Sequence, residues 1–115
     1  MRYMLLIYGD EKLGEEVSPE AWQEIIQAHT AWSAEAAERG MNPSGDALYP
    51  VASAKTVRFE NNRVTLTTDG PFAETKEQLG GFYVIDCQNE AEALAMAAKL
   101  PVSAGSVEVR PVVEF

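Results

Sequence analysis

The sequence predicts an α+β domain, a small antiparallel sheet with two helices packed on one of its faces. Three observations predict it. The run Tyr3-Met4-Leu5-Leu6-Ile7-Tyr8 has strand length and no polar alternation, as in an inner strand buried on both sides. A hairpin pattern at 55–68 and an alternating segment from Ser106 to Glu114 add further strands. Two segments, 18–39 and 90–100, carry helical apolar spacing between start and stop signals. The order strand, long helix, hairpin, strand, helix, strand describes an α+β sandwich.

Each element has a local cause. After the first strand, Gly9 to Val17 is polar and acidic and reads as a loop. Ser18 is placed as N-cap and Pro19 as first residue of a helix that runs to about Arg39, with Gly40 as its stop. Trp22, Ile25, Ile26, Ser33 and Ala36 form its apolar stripe, with Trp32 at the border and both tryptophans expected in the core. At 100° per residue His29 falls inside that stripe, facing the sheet. Residues 41–54 hold Pro43, Gly45, Asp46, Pro50 and Ser53 and form an irregular connection, with room for a short strand at 47–49.

Asn61-Asn62 then suits a two-residue turn, because asparagine tolerates positive φ. The implied register pairs Glu60 with Arg63, Phe59 with Val64, Arg58 with Thr65 and Val57 with Leu66, which brings the apolar residues to one face. Phe82 to Cys87 is a strand, and Asn89 caps a second helix with Glu92 three residues on. Ala93, Leu94, Ala97 and Leu100 are its expected buried side, and Pro101 stops it. Helices can cover only one face of such a sheet. The remaining apolar face predicts a homodimer with two sheets packed face to face.

Composition excludes several function classes. At 115 residues, 46% of them hydrophobic, the chain is one domain, of a size that buries roughly 65% of its unfolded surface. Nine basic and eighteen acidic residues give a formal charge of −9, and no basic run exists to contact phosphates, so direct nucleic-acid binding is excluded. The single cysteine, Cys87, cannot form an internal disulfide and reads as an inert structural thiol in a reducing compartment. The apolar run at 4–7 is too short for a signal peptide, and nothing approaches the ~20 residues of a membrane span. The expectation is a cytoplasmic protein without membrane contact. One histidine and one cysteine cannot make a zinc site, and Gly80-Gly81 lacks the sequel of a phosphate loop, so no cofactor is expected.

The densest stretch is Thr68-Asp69-Gly70-Pro71-Phe72-Ala73-Glu74-Thr75-Lys76-Glu77-Gln78-Leu79-Gly80-Gly81-Phe82-Tyr83. Asp-Gly-Pro is turn chemistry, Phe72 is an apolar anchor in a polar loop, and Gly80-Gly81 lets the backbone bend or approach a neighbour closely. This segment resembles the signature of the DGPF proteins, a branch of the YCII-related family, and the likeness extends from RYMLLIYGDE to GSVEVRP. The resemblance implies a ferredoxin-like (βαββαβ-type) fold of the dimeric α+β barrel group. It also implies a functional histidine eleven residues before the glycine that ends the first helix, a position matched by His29. The family's partner aspartate, just before a proline at the end of the second helix, is Leu100 here. A further implication is a partner in transcription regulation, since DGPF proteins resemble domains fused to, or encoded beside, extracytoplasmic-function sigma factors.

Two residues are candidates for catalysis. His29 is the only side chain with an unperturbed pKa near neutrality; it reads either as a hydrogen-bonded, half-buried histidine or as an acid/base group. Asp69 reads either as a turn former or as a carboxylate replacing the missing aspartate beside His29. Pro71, Phe72, Glu74, Lys76 and Arg110 are candidate ligand contacts, although the commoner explanations of the charged ones are loop exposure for Glu74 and Lys76 and a cross-strand ion pair with Glu108 or Glu114 for Arg110. Tyr8 and Tyr83 read as core or interface residues. Two functions follow: a dimeric module binding a small ligand or protein partner, or a small cofactor-free enzyme using His29 with Asp69.

Overall fold

The computed structural model describes residues 1–69 and 76–115, with residues 67–69 as backbone only. The apolar run becomes the inner strand β1 (Arg2–Gly9). It is followed by a short helix α1 (Glu11–Gly14), the long helix α2 (Pro19–Glu38) and a short strand β2 (Ser44–Ala47). A hairpin of β3 (Lys55–Glu60) and β4 (Arg63–Asp69) comes next, then β5 (Gln78–Asp86), helix α3 (Glu90–Ala97) and β6 (Ser106–Pro111). Strands β2, β5, β1 and β6 form one antiparallel sheet in that spatial order. Without the hairpin the chain order is βαββαβ, the ferredoxin-like arrangement that the family resemblance implies.

The helix ends are where their residues put them. Ser18 Oγ accepts from the Ala21 N–H at 3.1 Å, and Asn89 Oδ1 accepts from the Glu92 N–H at 2.9 Å. Gly40 takes φ +77°, with its N–H donating to Ala37 O and that of Met41 to Ala36 O, both at 3.0 Å. The unexpected α1 starts where Asp10 Oδ1 accepts from the Lys12 N–H at 2.9 Å, turning part of the acidic loop into one helical turn. Leu5, Met41, Ile85 and Met96 are fully buried and, with Tyr3, Trp32, Ala36, Ala93 and Leu100, make the core between the helices and one sheet face. The buried side of α3 thus includes Met96, whereas Leu94 is 51% exposed. Positions 93, 96, 97 and 100 follow the i, i+3, i+4, i+7 spacing that Leu94 lies beside.

Alternation along β1 puts Tyr3, Leu5 and Ile7 under the helices and Met4 and Leu6 on the opposite face, opposite Val84 and Phe82 of β5. That second face is apolar along its inner strands. At its edges stand Ser44 and Asp46 on β2 and Glu108 and Arg110 on β6.

The hairpin departs from expectation. Asn61 and Asn62 take φ +51° and +64°, as a two-residue turn with two left-handed positions requires. Glu60 pairs with Arg63 and Phe59 with Val64, but Arg58 then faces Leu66 rather than Thr65. Thr65 is an extra residue in β4, a bulge that ends the expected pairing of Val57 with Leu66. The hairpin is also a sheet of its own rather than part of the main one. Because it stands off, the radius of gyration is 16.1 Å, against roughly 13 Å for a compact chain of this length. Phe59 and Val64 remain 68% and 58% exposed.

The main sheet departs from expectation in smaller ways. Strand β5 starts at Gln78 rather than Phe82, and Gly80 is the residue at which its register against β1 slips, between the pairs Ile7–Gly81 and Tyr8–Leu79. The short strand lies at Ser44–Ala47, not 47–49, because Gly45 allows β2 to lie close on β5: a Cβ there would sit 2.1 Å from Phe82 O. Strand β6 ends at Pro111, and Glu114 beyond it pairs with Arg2 at 2.8 Å. Gly45→Ala is expected to destabilise the fold by about 2 kcal/mol, and Leu5→Ala by about 3 kcal/mol, in urea unfolding. Gly14→Ala, with no atom within 4 Å of the added carbon, should leave the midpoint within experimental error of wild type.

Candidate functional site

Helix α2 is seated on the sheet by its C-terminal half only. Trp32 and Ala36 are buried there, whereas Trp22 and Ile26 near its start are 54% and 46% exposed. Trp22 is therefore not a core residue, contrary to its spacing, because the helix rises off the sheet before reaching it. Beneath the raised half lies a cleft of about 700 Å³, within the size range of small-molecule sites. Trp22, Ile25 and Ile26 from α2, Ile7 from β1 and Val102 from the α3–β6 connection form its apolar walls.

His29 and Tyr83 meet inside this cleft. His29 Nδ1 lies 2.8 Å from Tyr83 Oη, and the two rings stack at a centroid distance of 5.9 Å and 20°. Tyr83 leans in turn on Trp32, with centroids 4.5 Å apart, and the buried Trp32 indole N–H donates to Met96 O at 2.9 Å. A continuous line of contacts thus runs from α3 through Trp32 and Tyr83 to His29. Among the described residues, His29 Nε2 has no hydrogen-bond partner.

Burial holds the His29 pKa below its ordinary value of 6.5, so at pH 7 the imidazole is neutral, with one nitrogen a donor and the other an acceptor. Burial also pushes the Tyr83 hydroxyl up, and the nearby Ser33 hydroxyl pulls it part of the way back. The phenol keeps its proton and can either donate to His29 or accept from it. A neutral imidazole bonded through one nitrogen to a phenol can take or give a proton at the other.

The other candidate residues are dispersed. Asp69 ends β4, its backbone opposite Lys55 in the hairpin; its side chain lies outside the described residues, as do Pro71, Phe72 and Glu74. Lys76 is exposed just before β5 and does not line the cleft. Arg110 sits on the sheet face turned away from the helices, opposite Met4. The expected ion pair of Arg110 with Glu108 or Glu114 does not form among the described residues: Glu114 is held by Arg2, and Glu108 accepts from the Tyr8 hydroxyl at 3.2 Å. Leu100, at the position where the resemblance places an aspartate, is buried in the core. Cys87 is buried as well, and its thiol is pushed up by burial first and by Glu92 second. Among the described residues no three His, Cys, Asp or Glu side chains converge as metal ligands, and no helix is long and apolar enough to cross a membrane.

Tyr83 is the residue that sequence reasoning missed as a site member. Its position on the same sheet face as Leu5 follows from strand pairing, which a single strand pattern does not reveal.

The YCII-related domain matches residues 1–115, the whole length of the chain. The protein belongs to the YCII-related family. It is similar to an uncharacterized protein of Rhizobium meliloti (strain 1021), with 40% identity over 114 residues covering 96% of this chain and 91% of that one. Within this YCII-related chain the histidine of the first long helix is partnered by a phenol from the sheet, while the end of the second helix supplies only a leucine.

Because His29 is the only histidine, its titration is directly observable by NMR. Its midpoint is expected below 6.5, and a midpoint at or above 6.5 would show that the ring is not desolvated. The unfolded chain takes up this proton with a midpoint near 6.5 and the folded chain only at lower pH. The His29 contribution to stability is therefore complete above pH 6.5 and is lost as pH falls from there through the folded midpoint. His29→Gln should flatten that part of the stability profile.

Proposed function

We propose that this YCII-related protein is a dimeric small-molecule-binding module whose ligand enters the cleft beneath α2 and meets the His29–Tyr83 pair. The observation that carries the proposal is that pair itself: a 2.8 Å contact in a largely apolar cleft of about 700 Å³, with Nε2 left for a ligand. Ligand sites characteristically combine apolar walls with a few convergent polar groups. Screening small molecules by thermal shift tests it. Compounds that raise the melting temperature of the wild type should lose most of that shift in Tyr83→Phe and His29→Ala. Undiminished shifts in both variants would place binding elsewhere.

The dimer rests on the second sheet face. Met4, Leu6, Val84 and Phe82, all half-buried, make it apolar along its centre, no helix among the described residues packs on it, and an apolar face of this kind favours association. The projecting hairpin, with Phe59 and Val64 exposed, gives the chain an extended outline that a second copy would fill. Light scattering is expected to return twice the chain mass at micromolar concentration, and Leu6→Asp to return the monomer. A wild-type monomer, or a dimer untouched by Leu6→Asp, rules this interface out.

A second reading, catalysis without a cofactor, is favoured by the neutral state of His29. In it the imidazole takes a proton from a bound molecule through Nε2 while Tyr83 holds the ring through Nδ1. The share of Asp69 in such chemistry is separable by variant: any turnover found should vanish in His29→Ala, and its response to Asp69→Asn measures whether the carboxylate contributes.

A further inference from the structure

Among the described residues that line the cleft there is no Lys or Arg, and its acidic members are Asp10, Glu11 and Asp46. Asp46 stands opposite Phe82 and belongs by that register to the other sheet face, so the carboxylates of the cleft are those of Asp10 and Glu11 at the β1–α1 junction. Both are held in place: Asp10 Oδ1 accepts from the Lys12 N–H and Glu11 Oε1 from the Val51 N–H, each at 2.9 Å. Each of these bonds uses one oxygen, and among the described residues neither carboxylate has an ion-pair partner. The stretch 70–75 has no Lys or Arg in its sequence, and the chain as a whole carries −9. Among the described residues nothing in the cleft offers an anion a positive partner, since even its histidine is uncharged at neutral pH.

The polar requirement is equally defined. One nitrogen of a neutral imidazole donates and the other accepts, and Tyr83 can complement Nδ1 in either role. A ligand hydroxyl, which both donates and accepts, satisfies Nε2 in either tautomer. The aromatic and branched side chains of Trp22, Ile25, Ile26 and Ile7 then enclose an apolar body.

We propose that the cleft takes uncharged or cationic aromatic molecules bearing a hydroxyl for His29, and that Asp10 and Glu11 reject their anionic counterparts. This rests on the cleft being a ligand site, and it adds the chemical class. A carboxylate or phosphate entering here would lose water without gaining a cationic partner and would approach two fixed carboxylates.

The test uses three probes with one phenol body and different charge: 4-ethylphenol (neutral), tyramine (cationic) and 4-hydroxyphenylacetate (anionic). Binding is read by NMR, from the ¹⁵N shifts of the single histidine in the full chain at pH 7.5. Tyramine is expected to bind at least as well as 4-ethylphenol, and 4-hydroxyphenylacetate at least tenfold more weakly. In an Asp10→Asn, Glu11→Gln double variant, which preserves both backbone hydrogen bonds, that discrimination should shrink severalfold. A Glu60→Gln, Glu90→Gln control of equal charge change outside the cleft should keep it. Equal affinity for the anion, tyramine weaker than 4-ethylphenol, or discrimination unaltered in the cleft variant overturns the proposed class while leaving the cleft as a site. Absence of any His29 shift with all three probes overturns the site itself.

Discussion

The buried bond from the Trp32 indole to Met96 O sets the geometry on which the site depends. It ties α2 to α3 near the C-terminal end of α2, where Ala36 is small enough for close approach to the sheet. At the other end of the helix Trp22 and Ile26 stay about half exposed. The cleft lies there, between Trp22, Ile25 and Ile26 of the helix and Ile7 and Gly81 of the sheet. Because Tyr83 leans on the same indole, the bond also sets the position of the phenol that His29 meets.

Much of the fold was legible because its causes are local. Ser18, Gly40, Asn89 and Asn61-Asn62 each act within a few residues, and each stands where its chemistry predicts. The ferredoxin-like order followed from the succession of elements together with the family resemblance. What was illegible depends on pairings between distant segments. The bulge at Thr65 shifts the hairpin register without any Gly or Pro to announce it. Trp22 and Leu94 have core spacing, yet their exposure is decided by how far each helix lies from the sheet. His29 could be placed on the inner stripe of α2, but Tyr83 could not be set against it. Their contact spans 54 positions in the chain and depends on which strand lies beneath the helix.

The histidine–phenol pair differs physically from a histidine–carboxylate pair. A carboxylate beside an imidazole favours the charged ring and raises its pKa; a phenol that keeps its proton does not. With Leu100 in the core, no carboxylate among the described residues is bonded to the His29 ring to oppose its desolvation, so the neutral form prevails. The carboxylates of Asp10 and Glu11 act at a different level, on the charge of what approaches. The site therefore combines an uncharged hydrogen-bonding centre with a negative surrounding.

Among the described residues the hairpin has hardly any contact with the four-stranded sheet, so little of that sheet protects its backbone hydrogen bonds. Cooperative unfolding couples segments only through packing between them. In an isolated chain β3 and β4 would therefore open and close as a separate unit, exchanging their amide protons long before the inner strands do. The exchange rate of the hairpin amides becomes a gauge of whatever lies against it, and slow exchange there would register a neighbour that one chain alone does not provide.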